Sequence, residues 1–165
     1  MSKKSVNVLA FAALAAMVLP SASSFADDKS FLEEAIKGDN SEIALGRLAE
    51  AKGGNEAVKH FGRQLVKDHM KAKKQAMAVA KTMNVPDTET LSDDGKEEET
   101  KLDSLTRQDF DKEFAAYMVK DHQEDIQKFE EQAKGSGKVA ELAKETLPTL
   151  RKHLKMAEEL QKKAS

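Results

Sequence analysis

The chain has 165 residues, 34% of them charged and 5% aromatic, with 27 Lys and Arg against 29 Asp and Glu and no cysteine. That length suits one domain, and the lack of cysteine excludes disulfides, thiolate metal sites and a lipid-modified N-terminal cysteine. The near balance of charge leaves no strongly basic face, so nucleic acid is not an expected partner.

Residues 1–26 read as a cleavable signal peptide. Lys3 and Lys4 precede the small-and-apolar run Val6–Leu19, Pro20 ends it, and Ser24 and Ala26 stand at the minus-three and minus-one positions of a small-residue cleavage site. The apolar run, at about 14 residues, is shorter than the roughly 20 that span a bilayer. Cleavage after Ala26 is therefore expected, leaving 27–165 as a soluble, exported domain without a transmembrane segment. This mature chain carries 25 basic and 29 acidic residues, a net charge of −4.

The mature chain is rich in helix formers, and its breaks fall at Gly53-Gly54-Asn55, at Asn84-Val85-Pro86 through Gly95, and at Gly135-Ser136-Gly137. Four long helices are predicted, over about 30–52, 55–83, 107–134 and 137–163. In the first, Phe31, Leu32, Ala35, Ile43, Leu45 and Ala49 form the apolar side, and Gly38-Asp39-Asn40-Ser41 is a candidate kink or split, with Asp39 and Glu42 as a capping box. The second keeps helical spacing through Val58, Phe61, Leu65, Val66, Ala72, Ala76 and Ala80. A short helix over about 96–105 is expected to pack Leu102 and Leu105. The third long helix opens on a Thr106/Asp109 capping box and buries Phe110, Phe114, Met118, Ile126, Phe129 and Ala133. The fourth uses residues from Val139 to Leu160, with Pro148 expected to kink it.

Short turns make each outer pair an antiparallel hairpin, whereas the connection Asn84–Leu105 is long enough to cross the length of a helix. The expected fold is all-α, a ferritin-like antiparallel four-helix bundle with a long middle crossover.

A motif repeats: Phe61 to His69 and Phe114 to His122 share the pattern F-x-x-x-[LM]-V-K-D-H. Its spacing aims His69 and His122 from the apolar stripe into the interior, and His153 behaves alike after Leu150. His60 falls among Glu56, Arg63, Gln64 and Lys67 on the wet face. Counting from the turns at 1.5 Å per residue puts His69, His122 and His153 nearly at one level, with Glu42 within about a turn of it. Two readings stand: a transition-metal site for iron, zinc, copper or manganese held by Glu42, His69, His122 and His153, or a metal-free hydrogen-bonded network. Asp68 and Asp121, about 100° round the helix from their neighbouring histidines, are expected outside the ligand set. The methionines read as packing rather than a thioether copper site, the Glu and Lys tracts as solvated faces, and no phosphate loop or nucleophile elbow occurs.

Several stretches together resemble one family: Ser41-Glu42-Ile43 with Gly46-Arg47-Leu48-Ala49, Val58–His69, Phe110-Asp111 with Tyr117 and His122, and Leu147-Pro148 through His153-Leu154. It is the bacterial exported family catalogued as domain of unknown function 4142, whose members often carry outer-membrane or periplasmic labels. The resemblance spans essentially the whole mature chain and implies a ferritin-like, up-down-down-up fold with Glu42, His69, His122 and His153 as the matching positions. It implies no established activity. Val66 and Val119 stand where an E-x-x-H motif would place glutamates, which argues against ferroxidase chemistry. The function expected is metal buffering or sensing in the periplasm, with outer-membrane association a further expectation. The alternative is a metal-free envelope stress protein, an adaptor or holdase acting on an envelope protein through its surface. Enzyme action ranks behind both.

Overall fold

The computed structural model describes the backbone of residues 22–164 and the side chains of 27–163. The segment read as a signal peptide falls largely outside these. The described chain is all-helical: α1 Ala22–Lys52, α2 Glu56–Thr82, α3 Asp93–Ser104, α4 Arg107–Ala133 and α5 Gly137–Ala164. No strand occurs among the described residues, only an isolated bridge between Gly53 and Arg107. No helix among them is long and apolar enough to cross a membrane.

The long helices form two hairpins, α1 on α2 and α4 on α5, which meet where α2 packs on α5 and α1 on α4. Their directions follow from named contacts. Phe31 near the start of α1 stacks edge-on against Phe129 near the end of α4, while Gly54, just past α1, bonds Asp111 in the first turns of α4. Hence α1 and α4 run antiparallel. Val58 and Leu160 share one apolar cluster and Ala76 and Leu142 another, so α2 and α5 are antiparallel too.

Apolar packing fills both ends of this arrangement. Leu45, Phe61, Leu65, Leu102, Phe110, Phe114, Met118 and Leu160 close one end, with Phe110 and Phe114 stacked at 5.8 Å. Leu32, Ile36, Ala76, Ala80 and Val139 fill the other, beside Phe129, Leu147 and Leu150. Between the two lies a buried polar layer that includes Asp39, Glu42, His69, His122 and His153.

Three local expectations need correction. First, α1 begins at Ala22 rather than near Ser30, and it runs unbroken through Gly38-Asp39-Asn40-Ser41. The polar run does not break the helix because each side chain has a distant partner: Asp39 bonds His69, Asn40 donates to the Thr88 and Thr90 carbonyls, and Ser41 accepts from the Ser92 amide. The Asp39/Glu42 capping box is therefore absent. Second, Thr106 caps α4 without any side-chain hydrogen bond. Third, the short helix α3 starts earlier than expected, at Asp93, because Ser92 caps it by accepting from Gly95 N. Pro148 lies inside α5.

The middle connection is anchored at both ends. α2 closes with Asn84 at φ 57° and Val85 N donating to Ala80 O, a Schellman arrangement that satisfies the last carbonyls before Pro86 turns the chain outward. Pro86 and Asp87 are exposed, as their polarity predicts. Gly95 then lies on Ser41, where a methyl group would overlap the serine hydroxyl, so α3 rests directly on α1. Leu102 is fully buried beneath it.

Candidate metal centre

Each long helix supplies one of the four candidate ligands in the polar layer: Glu42 from α1, His69 from α2, His122 from α4 and His153 from α5. The ring centroids of the three histidines lie 5.3 to 6.0 Å apart. One nitrogen from each, with all three within 4.8 Å of one another, forms a group able to hold an ion. Glu42 Oε2 lies 3.9 Å from His69 Nε2. The three histidines form one such group, Glu42 joins His122 in a second with Asp121, and His60 stays exposed.

The outer nitrogens define the tautomers. His69 Nδ1 lies 2.8 Å from Asp39 Oδ1, His122 Nδ1 3.0 Å from the Met118 carbonyl, and His153 Nε2 3.0 Å from Asp68 Oδ2. Each partner is an oxygen acceptor, so each of these nitrogens carries the proton and donates. The opposite nitrogens, His69 Nε2, His122 Nε2 and His153 Nδ1, then present lone pairs, and all three are buried with no hydrogen-bond partner. Glu42 Oε2 is buried and unpartnered as well.

Burial governs the charge states. It pushes His122 well below its ordinary pKa, with the neighbouring His69 and His153 adding to the effect. His153 falls to about 4, through burial first and His69 second, against the pull of Asp68. Burial likewise lifts Glu42 well above its usual range, helped by Asp121, Asp125 and Asp39, and it raises Asp125 to about 7. Asp39 is raised by burial, with the His69 hydrogen bond opposing. Without a cation the layer therefore favours neutral His122 and His153 rings and a neutral Glu42.

Neutral imidazole is the ligand form, and hydrogen bonds from the outer nitrogens to carboxylate or carbonyl oxygen orient metal-binding histidines and raise their basicity. Three nitrogens and one carboxylate oxygen make a donor set suited to zinc, copper, iron or manganese. At metal–nitrogen bonds of roughly 2.0 to 2.1 Å with tetrahedral angles, ligand nitrogens sit about 3.4 Å apart. The three histidine nitrogens lie within 4.8 Å of one another.

A family model described as "Domain of unknown function (DUF4142)" matches residues 13–160. The chain belongs to that family. A search of curated proteins gives no match. Among solved structures this DUF4142 chain is similar to the crystal structure of a DUF305 fragment from Deinococcus radiodurans. The TM-score is 0.74 at 14% identity, over 83% of this chain and 96% of that one. At that identity the likeness concerns the fold alone.

Several residues of the DUF4142 chain's centre were not singled out by sequence reasoning. Asp39 has the local sequence of a helix cap but serves as the acceptor behind the inward His69 ring, one turn from Glu42 on the same face. Asp125 and Tyr117 belong to the same acidic neighbourhood as Glu42 and Asp121. Asp68 bonds His153, and Asp121, expected like Asp68 outside the ligand set, stands with Glu42 and His122 in the second group able to hold an ion.

Proposed function

We propose that this protein is an exported, ferritin-like four-helix bundle that binds one divalent transition-metal ion through His69, His122, His153 and Glu42, as a periplasmic metal-buffering or metal-sensing protein. One observation carries the reading: three buried imidazole nitrogens have no hydrogen-bond partner, on histidines that bring one ligand nitrogen each within 4.8 Å of the others. A buried polar atom left unpaired costs about 1 to 3 kcal/mol. A stability-driven core would avoid three at one point, and a cation satisfies all of them together. The antiparallel pairing of neighbouring long helices supports the bundle, and the basic, apolar and small-residue segments of 1–26 support export. With Val66 and Val119 in place of paired glutamates, the site has one metal-binding carboxylate rather than a ferroxidase set, which favours holding an ion over oxidising one.

The test is calorimetry and metal analysis of apo protein with Zn2+, Cu2+, Fe2+ and Mn2+. An ion at 100-fold its Kd stabilises the fold by about 2.7 kcal/mol, a rise in Tm of roughly 8 °C for a domain of this size. His69→Ala combined with His122→Ala abolishes the rise and the bound metal, whereas His60→Ala changes neither. If none of the four ions raises the wild-type Tm, the metal reading is wrong, and the surface-acting, metal-free alternative takes its place.

A further inference from the structure

The histidine cluster is buried, so an ion that binds there must cross the helical wall. One seam is built differently from the others. Between α1 and α4, under the N-terminus of α3, runs a groove of about 320 Å3 whose acids are Glu34, Asp93, Asp94, Asp121, Glu124 and Asp125. Three lysines also line it, of which Lys96 is tied to Asp93 at 2.9 Å and Lys128 lies 4.0 Å from Asp125. The acids are graded inward. Glu34, Asp93, Asp94 and Glu124 are exposed, Asp121 and Asp125 keep about a quarter of their side-chain surface, and Glu42 is 2% exposed.

Two features connect the groove to the histidines. Glu42, whose Oε2 is buried and unpartnered, forms with Asp121 and His122 a second group of ligand atoms within 4.8 Å of one another, so a carboxylate bridges outer and inner positions. Beside it, an interior cavity of about 40 Å3 is lined by Asp39 and His69 and shares Gly38, Asp125, Glu34 and Lys128 with the groove. At Gly38 a Cβ would meet no atom within 4 Å, so the wall of α1 is open where the two spaces adjoin.

We propose that the α1–α4 groove is the loading route for the metal ion, with Asp121 and Asp125 forming an outer cation position that passes the ion to Glu42 and the three histidines. This rests on the metal site proposed above. Acidic groups in a low-dielectric cleft concentrate cations and raise association rates by 10-fold or more, while the three histidines supply the final affinity. The opposite groove, lined by Asp68 and Glu145 with Lys71, Thr146 and Thr149, also reaches His69 but carries two acids rather than six.

Rates distinguish a route from a ligand. A residue on the route changes association and dissociation by the same factor and leaves Kd alone, whereas a ligand changes Kd. Stopped-flow mixing of full-length apo protein with Zn2+, and chase of the loaded protein into excess chelator, should show both rates slowed at least 10-fold in Glu124→Gln/Asp125→Asn, whose side chains line the groove. Kd should stay within 3-fold of wild type, with a weaker dependence on salt. Gly38→Leu, which fills the opening without removing charge, should slow both rates too. The charge-matched control Glu141→Gln/Glu159→Gln, on the exposed face of α5, should leave them unchanged. Unchanged rates in both groove variants, slowing by Glu145→Leu alone, or weakened Kd with normal association would each overturn the route while leaving the histidine site intact. A wild-type protein that takes up no Zn2+ and no other ion would overturn both readings.

Discussion

Gly46 and Gly62 face each other where α1 crosses α2. A Cβ added at Gly62 would lie 2.5 Å from the Gly46 carbonyl oxygen, 2.9 Å from Ala49 Cβ and 3.0 Å from the Glu50 amide nitrogen. Atoms at ordinary contact sit about 3.5 to 4.0 Å apart, and two of these three neighbours are backbone that no rotamer change can move. Gly62→Ala must therefore push the helices apart by on the order of 0.5 to 1 Å, at a cost of about 2 to 3 kcal/mol including lost contacts along the seam. Alanine's better helix propensity returns about 1 kcal/mol, leaving a net loss of about 1 to 2 kcal/mol. Gly38→Ala is the same substitution in the same hairpin, but its Cβ meets nothing within 4 Å. It should stabilise by about 1 kcal/mol. Urea denaturation followed by circular dichroism measures both, and the two variants should move the midpoint in opposite directions. The separation also bears on function, because Glu42 lies one turn before Gly46 and His69 two turns after Gly62. Spreading α1 from α2 draws Asp39 and Glu42 away from His69, so Gly62→Ala should bind Zn2+ more weakly than wild type, while Gly38→Ala should keep its equilibrium affinity. If Gly62→Ala stabilises as much as Gly38→Ala, the close backbone approach is not a determinant of the hairpin and the argument fails.

Asp39→Asn keeps an oxygen acceptor at the 2.8 Å contact to His69 Nδ1 but removes its charge, and Asp68→Asn does the same behind His153. Each should weaken metal affinity by about 10- to 100-fold in competition titrations while the apo protein still folds; unaltered affinity would show that these aspartates do not tune the rings. Glu98 on α3 is buried with Oε1 unpartnered, and its carboxyl is raised to about 7, chiefly by burial and then by Glu113, against Lys101 and Lys120. Because its folded pKa exceeds the unfolded value of 4.5, its contribution is fully present below about pH 4.5 and is lost as pH rises through about 7. Glu98→Gln should therefore match wild type near pH 5 and exceed its Tm near pH 8; an equal gap at both would assign the effect to packing rather than ionisation.

The helices and the three inward histidines were legible because both depend on period. Leu65, His69, Leu150 and His153 repeat at three and four residues, and that spacing fixes which way a side chain points before any partner is known. What sequence could not supply was partners far along the chain. Gly38-Asp39-Asn40-Ser41 has the composition of a break, and its continuity in α1 rests on His69, Thr88, Thr90 and Ser92, which lie 30 or more residues away. The Thr106/Asp109 capping box fails while Asp111, two residues further on, takes the Gly54 amide and the Asn55 side chain of another turn. Local motifs describe bonds that a segment can make with itself, and the folded chain makes different ones.

The repeated Asp-His pair in α2 and α4 shows how the two kinds of information combine. Adjacent residues on a helix point about 100° apart, so an aspartate beside an inward histidine cannot face the same centre. It faces the seam with the next helix instead. Asp68 accordingly reaches across to α5 and accepts from His153, whereas His69 itself is held by Asp39 from α1. Asp121 reaches toward α1 and lies beside Glu42, while His122 is held by the carbonyl one turn back on its own helix. The repeat is therefore not two copies of one Asp-His couple. Each histidine points to the centre while each aspartate lies at a seam beside a centre-facing residue of a neighbouring helix, so His69 and His153 are held by bonds between helices and His122 by one within its own. A change in how α2 packs on α1 or α5 must then be felt at His69 and His153.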